Sequence, residues 1–139
     1  MGIDACIEVE GEEEVYTPEQ DRMDTRSFAH IIMDLTEGDD TVTQTLAAKY
    51  GFSLEPLSLV CSEPDNEHGP WQDALGAWES AYGLFDAFAK EGVELIGKEI
   101  AYYPLDAEMI PIYMRSLSDA VNILKYAHEK GKRIRLCVS

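Results

Sequence analysis

The sequence predicts a single domain over 1–139 of the α/β or α+β class, with a small mixed sheet, adjacent terminal strands and about four covering helices. Three observations carry this. The first is alternation at both ends of the chain. Ile3, Ala5, Ile7 and Val9 alternate with Asp4, Cys6, Glu8 and Glu10; Ile134, Leu136 and Val138 alternate with Arg133, Arg135 and Cys137. A period of two belongs to a strand with one buried face. The second is charge. The outer face of the first strand is acidic and that of the last is basic, and opposite charges on neighbouring strands modestly stabilise their pairing. The third is the segment 110–138, which reads as strand, helix, strand. Ile110, Ile112 and Met114 alternate, and Leu117, Ala120, Val121, Leu124 and Ala127 continue at helical spacing. Ser116 stands at the N-cap position with Asp119 three residues on, and Gly131 fits a C′ glycine. Such short joints favour a parallel pair with a right-handed crossover.

Between the terminal strands, Glu12, Glu13 and Glu14 repel one another in a loop, and Thr17-Pro18 reads as a helix start. Phe28, Ile31, Ile32 and Leu35 give one face of a helix ending near Gly38. Asp39 or Asp40 caps the next, with Val42, Leu46 and Tyr50 inward and Gly51 as its stop. Leu57 to Cys61, after Pro56, reads as a short strand, and 62–69 as a polar loop. Pro70 opens the longest helix, which runs to about Lys90 and stops at Gly92. Its apolar stripe is Trp71, Leu75, Trp78, Tyr82, Phe85 and Phe88. A further strand is expected around Ile100 to Tyr103, so that the sheet draws on the termini and residues 98–114.

Hydrophobic residues are 45% and charged residues 27% of the chain, an ordinary globular composition. No apolar run approaches the ~20 residues that span a bilayer. The first residues lack the basic and apolar regions of a signal peptide, so the expected compartment is the cytoplasm. Cys6, Cys61 and Cys137 are odd in number and widely spaced, which predicts buried thiols rather than a disulfide framework.

Charge is the unusual property. There are 27 acids against 11 Lys and Arg, a net charge of −16. Residues 1–40 hold 13 acids and two bases, whereas 125–139 hold five bases and one acid. This field repels nucleic acid phosphates and anionic lipid and attracts basic partners. Thr43 to Ser53 resembles the first helix and turn of a helix-turn-helix reader, but Pro56 interrupts the next segment and no basic recognition helix is present. No nucleic acid or membrane partner is expected.

Motifs that would fix a reaction are missing. No Walker A loop, nucleophile elbow or dinucleotide fingerprint occurs. Asp65, Glu67 and His68 beside Cys61 are metal-ligand types, yet three or four converging ligands are not evident, and a solvated loop is expected. His30 and Asp34, four apart on one helix, suit a shared hydrogen bond or metal. Cys6 and Cys137 fit one sheet face, with no His placed by sequence to activate either. The expectation is therefore no catalytic residue, no metal and no cofactor. What remains is a small, acidic, non-enzymatic binding protein that docks or inhibits a basic protein. Nuclease inhibitors, immunity proteins and phage antagonists of host defence share that profile as a class. The expected contact residues are Glu10, Glu12, Glu13, Glu14, Glu37, Asp39 and Asp40. The alternative is a small-molecule site or small enzyme using a groove beside the Trp71/Trp78 helix.

Overall fold

The computed structural model describes residues 4–12, 23–38, 40–60, 68–96 and 107–138, except for the side chains of 92–96 and 107. The helix start at Thr17 and the strand around 100–103 fall outside these residues. Strands β1 (Ala5–Val9), β2 (Gln72–Asp73) and β3 (Arg133–Val138) form one sheet in the order β1-β3-β2. Around it stand α1 (Thr25–Thr36), α2 (Val42–Tyr50), the single turn α3 (Glu55–Ser58), α4 (Ala74–Ile96) and α5 (Ile110–Glu129). The fold is α+β.

The terminal strands are neighbours, as their complementary faces predict. Cys6 faces Cys137, Glu8 faces Arg135 and Val9 faces Ile134. Ala5, Ile7, Val9, Ile134 and Leu136 turn inward and are buried, joining Phe28, Phe88, Tyr113 and Leu117 in one apolar core. The described pairings are all antiparallel, which corrects the expected parallel crossover from 110–114. The cause lies at 110–114, which is helix and not strand. Pro111 occupies the first turn of α5, where no intrahelical N–H is needed. Ile110, Tyr113, Leu117, Ala120, Leu124 and Ala127 then form one continuous buried stripe in steps of three and four. Three alternating apolar residues fit either period, and the longer stripe decides. Ser116 is not a cap. It is buried in α5, and its hydroxyl donates to the Asp24 carbonyl oxygen at 3.1 Å, tying α5 to the start of α1.

The cap of α2 and the glycine that ends it fall close to their predicted places, whereas the sequence offered no cap at Asp24. Asp24 begins α1 by accepting from the Ser27 N–H at 3.0 Å. Thr41, rather than Asp39 or Asp40, caps α2 and accepts from the Gln44 N–H at 3.3 Å. Gly51 ends α2 at a φ of +74°, a conformation that suits glycine. Asp34 is buried and accepts from the backbone N–H and hydroxyl of Thr43 at 2.8 and 2.7 Å, so it fastens α1 to α2. Leu57 and Ser58, the start of the strand expected over 57–61, belong instead to the helical turn α3, with Pro56 near its start and Leu57 buried, and Cys61 lies outside the described residues.

α4 starts later and ends later than predicted. Asp73 accepts from the Leu75 N–H at 2.9 Å, and the helix continues past Gly92 to Ile96. Its buried face is also different. Ala74, Ala77, Ala81, Leu84, Ala87 and Phe88 are inside; Trp71, Trp78 and Phe85 are half-buried, and Leu75 and Tyr82 are exposed. The most extensive helix–helix contact among the described residues is between α4 and α5. Alanines on α4 let the larger side chains of α5 approach, since interaxial distance depends on the side chains at the contact. No helix among the described residues is long and apolar enough to cross a membrane.

Candidate functional site

The outer face of the sheet carries the densest chemistry. Cys6 and Glu8 alternate out of β1, opposite Cys137 and Arg135 of β3. His68 joins them through an antiparallel bridge to Cys137, and Gly69 N–H fixes this arm by donating to the Leu136 carbonyl oxygen at 2.7 Å. The His68 Nδ1 atom lies 3.1 Å from Cys137 Sγ and 3.6 Å from Glu8 Oε1. Arg135 holds the other carboxylate oxygen: Nε donates to Glu8 Oε2 at 2.7 Å, and Nη2 lies 2.6 Å from it. The guanidinium in turn stacks on the Trp71 ring, 4.4 Å from its centroid. Cys137 is only 7% exposed, although strand alternation would turn it to solvent.

The arrangement is not that of an activated nucleophile. Thiol and carboxylate both face the same imidazole nitrogen, Nδ1. In a nucleophile–base–orienter relay they would occupy opposite nitrogens. The Cys137 thiol is also pushed far above its ordinary range, first by its hydrogen bond with Cys6, then by burial and by the Glu8 charge. Such a thiol stays protonated, and the thiolate is the nucleophilic form. Instead, sulfur, nitrogen and oxygen donors converge: those of Glu8, His68 and Cys137 all lie within 4.8 Å of one another. Sequence spacing could not find this group, because its members lie at 8, 68 and 137 and only the bridge brings the arm to the sheet. The available signal was the polar face shared by Cys6 and Cys137.

The acids expected to meet a partner divide into three sets. Glu10 and Glu12 lie together where the chain leaves β1, and both are engaged within the chain. Arg133 Nε donates to Glu10 Oε2 at 3.1 Å. Tyr126 donates its hydroxyl to Glu12 Oε1 at 2.7 Å, and Lys132 Nζ lies 3.0 Å from Oε2. Glu37 and Asp40 are exposed in the connection between α1 and α2. Glu13, Glu14 and Asp39 fall outside the described residues. Hydrogen bonds from Arg133, and from Tyr126 and Lys132, hold the Glu10 and Glu12 carboxyls below their ordinary value of 4.5. A depressed folded-state value contributes stability that is full above 4.5 and lost as pH falls through the lower folded value. Chemical denaturation should therefore show part of the acid loss below pH 4.5 disappearing in Glu10→Gln/Glu12→Gln. An acid profile identical to that of the parent would mean that these pairs contribute nothing to acid stability.

The outward face of α4 is the other feature. Leu75, Trp78, Glu79 and Tyr82 line a shallow cleft of about 300 Å³, with Leu75 37% and Tyr82 56% exposed. The Trp78 ring tilts against His128 at 5.6 Å between centroids. His128 also lines a second cleft of about 440 Å³ with Asp73, Gly131, Lys132 and Arg133. Trp71 does not share the Trp78 cleft; it lies with Arg135 at the sheet. No family model, curated protein or solved structure matches this chain.

Proposed function

We propose that this is a small, non-enzymatic, cytoplasmic binding protein that docks a basic protein partner, in the manner of an inhibitor. The observation that carries the reading is the row on α4 of exposed Leu75 and Tyr82 with half-buried Trp78 between them, beside the exposed carboxylate of Glu79, in a chain of net charge −16. A half-buried Trp and an exposed Tyr on a rigid helix suit the centre of an interface, where a few aromatic anchors supply most of the binding energy. The charge supports a basic partner for a specific reason. Lys49, Lys90, Lys132, Arg133 and Arg135 are each held by a carboxylate of the same chain. Glu37, Asp40, Glu55, Glu79 and Glu129 stand exposed. The outward field is thus acidic, and such a field steers basic proteins toward the surface and raises association rates. On this reading Glu10 and Glu12 organise the sheet end, and Glu37 and Asp40 add to steering.

The test is a purified pair, obtained by capture from lysate and identification of the bound protein. That protein should be basic, and its association should slow as salt screens the charges, because the Debye length falls below about 10 Å above 0.1 M. Tyr82→Ala should weaken the pair by about tenfold or more with unchanged thermal unfolding, as interface anchors cost at least ~1.4 kcal/mol on truncation. A partner indifferent to both Tyr82→Ala and salt would overturn the proposal.

A further inference from the structure

The geometry points to a cation site on the outer face of the sheet: we propose that Glu8, His68 and Cys137 bind one thiophilic divalent cation of the zinc kind. The donor atoms have the spacing that ligation needs. Zinc bonds of ~2.0–2.3 Å at a tetrahedral angle put sulfur and nitrogen donors about 3.6 Å apart, and nitrogen and oxygen donors about 3.4 Å apart. The corresponding separations here are 3.1 Å from His68 Nδ1 to Cys137 Sγ and 3.6 Å to Glu8 Oε1. Cys6, directly across the ladder from Cys137, lies outside this donor cluster, so the fourth position falls to water. A sulfur and an imidazole select a borderline-soft ion over calcium or magnesium, which take oxygen ligands.

The surroundings are those of a built site. Arg135 grips Glu8 Oε2 and leaves Oε1 toward His68, and Trp71 backs the guanidinium; this is how outer groups orient a ligating carboxylate. Charge balances as well. Binding displaces the Cys137 proton, and one thiolate and the Glu8 carboxylate then match the two charges of the cation while Arg135 holds that carboxylate in place. Cys137 is sheltered from solvent and His68 is half-exposed, which leaves a path in for the ion. With three protein ligands from separate segments of the chain, the site fastens structure. It clamps the first strand, the last strand and the His68 arm together.

Cobalt is the probe, because its spectrum reports thiolate ligation. The full chain, reduced and stripped with a chelator, is titrated with Co²⁺ and then with Zn²⁺. One Co²⁺ per chain with thiolate-to-cobalt charge-transfer bands, displaced by Zn²⁺, is the expected result, and Zn²⁺ should raise the melting temperature. His68→Ala and Cys137→Ser should lose the tight site, and Arg135→Gln should weaken it about tenfold. His68 is half-exposed, so His68→Ala decides the matter even where Cys137→Ser fails to fold. Cobalt binding without thiolate bands would mean adventitious capture by surface carboxylates and would overturn the proposal. So would bands that His68→Ala leaves unchanged, or no binding at all.

Discussion

Phe88→Ala is expected to destabilise the protein by about 3–5 kcal/mol, the usual range for truncating a buried aromatic. Phe88 is 0% exposed and lies in the apolar core, among alanines on α4 that cannot swell to fill a void. The informative comparison is with Trp78→Ala. The larger ring would cost more if size alone decided, but Trp78 is half-buried, with one side against His128 and the other lining the open α4 cleft. It leaves a dent and no enclosed cavity, so its truncation should cost less than half as much as that of Phe88. Urea unfolding of both variants gives the answer. A Trp78→Ala loss equal to that of Phe88→Ala would return the aromatic row to the core and leave the proposed docking face without its anchor.

Gly69→Ala is expected to cost about 1–3 kcal/mol by overpacking. A Cβ there would stand 2.3 Å from the Leu59 carbonyl oxygen and 3.2 Å from that of Leu136. Both obstacles are backbone, so neither can rotate aside. The arm would have to lift, taking with it the Gly69 hydrogen bond to Leu136 and the approach of His68 to Cys137. Cys137 should then become accessible. Each ~1.4 kcal/mol of lost closure opens the arm tenfold more often, so labelling of Cys137, read by peptide mass spectrometry, should speed up by about tenfold or more. An unchanged labelling rate would mean that the arm does not cover the thiol.

Much of the fold was legible because its determinants are local or symmetric in kind. β1 and β3 announce themselves by alternation, and their opposite outer charges pair them without any knowledge of what lies between. The faces of α1 and α2, and the stop at Gly51, come from spacing and from the φ that glycine permits. The strong negative charge is a property of composition alone. Other features needed the packed molecule. Residues 110–114 satisfy two periods at once, and only continuation of the buried stripe through Tyr113 makes them helix. On α4, hydrophobicity ranks Trp and Tyr above Ala, yet close contact with α5 favours the small side chains and turns Leu75 and Tyr82 outward. The Glu8–His68–Cys137 group was hidden for the same reason. Its register across β1 and β3 is readable, but the arrival of His68 depends on a bridge whose partners lie 69 residues apart and on the close backbone approach of Gly69 to Leu59. Periodicity reports which face of an element is apolar; which surfaces then meet is decided by volume and by backbone clearance.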